Sequence, residues 1–155
     1  MPEREDQELI EVLRRRKETG NANEKKPAEI LEEWKKTLVE LFRQLEGWLK
    51  EEAEEKLLSY DRTPMTLTEE LLGTYDVEQL VIRFTGGDVV VVRPVARMVV
   101  GANARVDVLA GPRREMLIRG EDHWSIGRPT AKQARTPLDA SRFKSLLLDL
   151  ISSPE

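Results

Sequence analysis

The chain has no cysteine and a single histidine among its 155 residues. Without thiols there are no disulfide staples, no thiolate catalysis and none of the usual structural zinc sites. Aromatic residues make up only 5% of the sequence, too few to supply an evident platform for stacking nucleic-acid bases. No uninterrupted apolar run approaches the ~20 residues that span a bilayer. The opening Met1-Pro2-Glu3-Arg4-Glu5-Asp6 lacks the apolar centre of a signal peptide. A cytoplasmic location with no membrane contact is the expectation. One histidine and scattered carboxylates provide neither zinc-ligand spacing nor an EF-hand loop, and no phosphate-binding glycine motif occurs. No metal and no cofactor is expected.

What remains is a hydrophilic composition, 39% apolar and 35% charged, with a net charge of −4. That length suits one ordinary core. The charge is uneven. Acids prevail through Asp61, whereas between Arg83 and Arg135 ten bases face only Asp88, Asp107, Glu115, Glu121 and Asp122.

Residues 1–26 read as a short helix and a flexible linker. The helix, over 3–17, has acids in its first turn, Arg14-Arg15-Arg16-Lys17 in its last, and only Leu9, Ile10, Val12 and Leu13 as an apolar stripe. So narrow a stripe needs a partner surface. Gly20 to Lys26 is small and polar.

Residues 27–155 read as a single α+β domain. A long N-terminal helix is predicted over 27–58, where Leu31, Trp34, Leu38, Leu41, Leu45 and Trp48 recur at spacings of three and four. That is the a/d pattern of a coiled coil. Phe42 and Leu49 widen the stripe, and the flanking positions lack paired opposite charges, which ranks packing within the domain ahead of self-association. Ser59 to Pro64 is expected to break the helix, and Thr66-x-x-Glu69 resembles a capping box opening a short helix through Leu72.

Valine-rich segments punctuated by Gly86-Gly87, Pro94, Gly101, Gly111-Pro112 and Gly120 predict an antiparallel β-meander of five or six strands over 77–127, as a sandwich or partial barrel. A two-residue turn at Gly86-Gly87 would pair Thr85 with Asp88 and place Leu80, Ile82 and Phe84 on one face with Val89 and Val91. Arg83, Val81, Val90 and Val92 would then share the other face, with the Leu31–Leu49 stripe as its cover. Thr136-Pro137-Leu138-Asp139 is expected to cap a C-terminal helix over 137–151, with Phe143, Leu146, Leu147, Leu150 and Ile151 inward.

Nothing in the sequence spells out a reaction. The preferred reading is a noncatalytic protein-interaction module, an adaptor, regulator or assembly subunit that binds a partner or another copy through Leu9, Ile10, Leu13, Trp34, Leu41 and Trp48. The alternative is a nucleic-acid or polyanion-binding module using Arg113, Arg114, Arg128, Lys132 and Arg135, since arginine matches phosphate geometry. A hydrolase centred on His123 comes third. Glu121-Asp122-His123-Trp124-Ser125 puts His123 and Ser125 on one face of a strand, but adjacent residues point apart there and Asp122 would orient the ring poorly.

Overall fold

A helix whose apolar residues span more than two positions per turn has to bury them, and α2 (Pro27–Trp48) does so against the chain's own sheet. The structure, a computed structural model, describes residues 7–14, 27–97, 104–120, 122–127 and 135–152. Residues 7–14 form α1, and α2 is followed by the short α3 (Lys50–Glu54). Seven strands come next: β1 (Leu58–Glu69), β2 (Gly73–Phe84), β3 (Val89–Ala96), β4 (Ala104–Ala110), β5 (Arg113–Arg119), β6 (Trp124–Ile126) and β7 (Thr136–Pro137). Then α4 (Ala140–Ser152) closes the order. The class is α+β. The strands form one antiparallel sheet in the order β1-β2-β3-β4-β5-β6-β7, so each pairs with its neighbour in sequence. The sheet is open, with seven strands where five or six in a sandwich or partial barrel were expected.

Register determines which side chains α2 meets. Leu80 pairs with Val92 and Ile82 with Val90, then Val92 with Val108 and Val106 with Leu117. All seven of these residues are fully buried on one face, in a core shared with Trp34, Leu38, Leu41, Phe42 and Leu45 of α2 and Phe143, Leu146, Leu147 and Leu150 of α4. The β2–β3 register differs by one residue from the sequence expectation. The connection is longer than two residues: Phe84 N–H donates to Asp88 O at 2.8 Å, Gly87 N–H donates to Phe84 O at 3.1 Å, and Gly86 and Gly87 both adopt positive φ. A one-residue slip turns every side chain over. Val90 and Val92 therefore face the core, Val89 is 43% exposed, and α2 covers the Leu80–Ile82 face rather than the face of Arg83.

The helix predicted over 27–58 ends earlier. Leu49 N–H is shared between the carbonyls of Leu45 and Glu46, which loosens the ladder after Trp48. After α3 the chain closes in a Schellman turn: Lys56 N–H donates to Ala53 O, Leu57 N–H donates to Glu52 O, and Lys56 takes φ 60°. A lysine in the left-handed region is costly, and it gives no glycine signal. β1 then occupies the stretch expected to be a helix break and a capped helix. Instead of capping, Thr66 Oγ1 donates to Asp76 Oδ1 across the ladder, and Glu69 accepts from Tyr75 OH and from Arg97 N–H at 2.9 Å. Pro64 is tolerated because β1 is an edge strand.

β3 pairs only with residues 80–83 of β2, so the distal halves of β1 and β2 project as a two-stranded ribbon. Their burial alternation inverts between Val77 and Leu80, turning Tyr75 and Val77 onto the same core. The ribbon is fastened there by the Trp34 indole N–H, which donates to Tyr75 OH at 3.0 Å. Burial and the neighbouring Glu69 carboxylate push the Tyr75 phenol above its ordinary range, so it remains a neutral donor. At the other end of α2, Arg62 makes a two-pronged bond to Glu46 at 2.8 and 2.9 Å and lies over the Phe42 ring. The C-terminal helix begins three residues later than expected, with Asp139 Oδ1 accepting from Arg142 N–H at 2.7 Å as the cap. Among the described residues, no helix is long and apolar enough to cross a membrane.

Leu38→Ala and Leu45→Ala, at 2% and 0% exposure, are each expected to destabilise the protein by about 2–5 kcal/mol in chemical denaturation. A smaller, pH-dependent effect is expected where α4 meets α3. Lys144 Nζ donates to Glu52 Oε2 at 2.8 Å, and this bond lowers the Glu52 pKa against the opposing effect of burial. A depressed carboxyl pKa stabilises above its unfolded value and is lost as pH falls through the folded one. Glu52→Gln should therefore cost about 0.5 kcal/mol at neutral pH, and its denaturation midpoint should converge with that of the parent in acid below the ordinary glutamate range.

Candidate interaction surfaces

With α2 spent on the core, its expected partner contacts are internal. Trp34 and Leu41 are 1% exposed and have no surface to offer. The Trp34 ring centroid lies 6.5 Å from that of Trp124. Trp48 is half-buried against Phe143, with centroids 6.0 Å apart. Burying such side chains is worth about 1.5–3 kcal/mol each, so Trp34, Leu41 and Trp48 act as domain anchors rather than contacts for another molecule.

The other three residues of that expectation stand in water. In α1 Leu9 is 58%, Ile10 53% and Leu13 51% exposed, with Val12 at 47%. At 100° per residue Leu9, Ile10 and Leu13 fall on one side of the helix, with Val12 beside Leu9. Glu8 lies on one flank of that strip and Arg14 on the other. A second apolar opening lies between α2 and the β1–β2 ribbon. It is a groove of about 280 Å³ with Leu38, Phe42, Val77 and Pro64 in its lining, Val39 at its edge, Lys35 on the helix wall, and Asp76 and Glu78 on the strand wall.

The arginines do not gather as expected. Arg113 pairs with Ala110 and Arg114 with Leu109, so strand alternation sends them to opposite faces. Arg113 Nη1 donates to Asp149 O of α4 at 3.2 Å, whereas Arg114 approaches Asp107 at 3.8 Å on the helix-free face. Arg135 sits against Gly127, where an added Cβ would lie 2.6 Å from Arg135 Cγ. Arg128 and Lys132 lie outside the described residues. A different set shares the face away from the helices: Arg83, Arg93, Arg105 and Arg114, interleaved with Val81, Val91 and Leu109. The signal was strand alternation, and the one-residue register error obscured it. These arginines are tied down, Arg83 to Asp61, Arg93 to Gln79, and Arg105 in a two-pronged pair with the buried Asp107 at 2.8 and 3.0 Å.

His123 precedes β6 instead of lying in it, and its Nδ1 is 2.8 Å from Asp122 Oδ1. The two adjacent residues meet because they lie outside any strand, where the rule that separates strand neighbours does not hold. The hydrogen bond to His123 lowers the Asp122 pKa. Their side chains are 63% and 86% exposed, while Ser125 is buried in β6. Among the described residues no hydrogen bond joins His123 to Ser125. His123→Ala is accordingly expected to leave the melting temperature unchanged and to remove no turnover in a screen of hydrolase substrate classes.

The sequence matches no protein-family model, and comparison with curated proteins and with solved structures finds no match.

Proposed function

We propose that this protein is a noncatalytic cytoplasmic interaction module, an adaptor, regulator or assembly subunit, whose docking element is α1. The observation that carries the reading is the contrast between two helices. The broad stripe of α2 is buried to 2% exposure or less at Trp34, Leu38, Leu41, Phe42 and Leu45, whereas the four apolar residues of α1 are about half exposed. With that surface in water α1 is marginal by itself and gains stability from a partner. A polyanion-binding role has less support, since the basic residues divide between two faces and several are held by carboxylates.

Removal of residues 1–24 tests the reading. The truncated protein should keep the parent's melting temperature, because α1 contributes nothing to the buried core. It should also lose the proteins that the full chain retains specifically at physiological salt, as read by quantitative mass spectrometry. Leu9→Asp combined with Leu13→Asp should reproduce that loss. Identical retained proteins for all three forms would refute α1 as the docking element.

A further inference from the structure

On the face of the sheet turned away from the helices, one cluster of charges does not balance. Asp107 of β4 is buried, and three arginines surround it. Arg93 is its cross-strand partner on β3, and Arg105 precedes it by two residues on its own strand. Arg114 lies diagonally across on β5, two residues before Met116, which is the other cross-strand partner of Asp107. Strand neighbours of these kinds have Cβ atoms about 5–8 Å apart, well within the span of an arginine side chain. Arg105 takes both carboxylate oxygens in a fork, through Nε at 2.8 Å and Nη2 at 3.0 Å. Arg114 Nη1 comes only to 3.8 Å from the carboxylate, too far for a hydrogen bond. Arg93 Nε donates to the neutral side chain of Gln79 at 3.2 Å. Three cations thus share one anion, an excess of two positive charges. We propose that this cluster is a binding site for a phosphate group bearing two negative charges, either free or as a monoester, gripped by Arg93 and Arg114 beside the anchored Arg105.

Asp107 has two effects that suit such a site. It offsets the mutual repulsion of the three guanidiniums, and by occupying Nε and Nη2 it fixes the plane of Arg105 before any ligand arrives. Arg93 and Arg114 are exposed, so their planar donor forks, which match phosphate oxygens, are reachable from solvent. A phosphomonoester carries about −1.5 to −2 at neutral pH and cancels the excess, whereas a carboxylate or a phosphodiester carries one charge and cancels half of it. Half-buried Val91 and Leu109 form one cross-strand row with Arg114, an apolar margin for the organic part of an ester. Arg83 on the same face is different, because Asp61 neutralises it one for one. The cluster fits a single anionic group rather than the backbone of a polymer. It lies across the sheet from α2 and α4 and needs nothing from α1, so it stands apart from the docking role of that helix.

The test is titration of the full-length protein with inorganic phosphate, phenyl phosphate or dimethyl phosphate at neutral pH and constant ionic strength, following the arginine Nε–H resonances by NMR. Saturable shifts of Arg93, Arg105 and Arg114 in the millimolar range are expected with the first two, and binding at least about tenfold weaker with dimethyl phosphate, a monoanion. The tighter of the two dianions tells whether the site takes the free ion or an ester. Arg93→Gln and Arg114→Gln should each weaken binding about tenfold and keep the parent's melting temperature, since both side chains are exposed. Arg105→Gln is a poorer probe because it strands the buried Asp107 carboxylate. Arg83→Gln, a control on the same face, should leave the affinity unchanged. Shifts that never saturate, or equal losses in Arg83→Gln and Arg114→Gln, would mean an adventitious ion only and overturn the site.

Discussion

The fold depends on satisfying one large side chain on two counts. Trp34 carries enough apolar area to demand burial, and it also carries an indole N–H that cannot be buried without an acceptor. Tyr75 supplies one, and Glu69 and the backbone of Arg97 continue the chain of bonds outward. For Tyr75 to face inward there, the β1–β2 ribbon has to reverse its inward face. The inversion between Val77 and Leu80 and the short β2–β3 pairing follow from that requirement. The same inversion brings Val77 to the groove, where it lines the wall facing Leu38 and Phe42.

Much of this was legible in the sequence. The α2 stripe, the strands β4, β5 and β6 and the inward side chains of α4 all follow from apolar periodicity bounded by turn residues. β1 was hidden for a physical reason. Its threonines, Pro64 and Glu69 resemble a helix break followed by a capping box, and their strand partners lie up to twenty-six residues away, as with Leu58 and Phe84. The helix stop at Lys56 left no trace because the usual glycine is missing. The Gly86-Gly87 error was subtler: the turn residues were correctly located, but loop length sets register, and one residue exchanged Val89 and Val91 for Val90 and Val92 in the core.

The candidate surfaces were legible in part. The exposed residues of α1 were singled out from composition, since four apolar residues between two charged ends have no internal core to bury them. Trp34, Leu41 and Trp48 were assigned both possible fates, and only three-dimensional packing separates a stripe that meets its own sheet from one that meets another molecule. The groove could not be anticipated at all. Its walls come from Lys35–Phe42 and from Pro64 and Asp76–Glu78, segments whose proximity depends on a strand that the local pattern concealed.

The strictly sequential strand order has a consequence for how the protein is made. Each hairpin can close as soon as its second strand emerges from the ribosome, because its partner is always the strand synthesised just before. α2 is different. It is made before the sheet, yet its ring neighbour Trp124 and the Phe143 against which Trp48 packs are made after most of the strands. Until those residues emerge the chain therefore displays a wide apolar helix with nowhere to put it. The dense charge on the solvent side of that helix, Glu32, Glu33, Lys35, Lys36, Glu40 and Arg43, would then keep the nascent chain dispersed until the meander is complete.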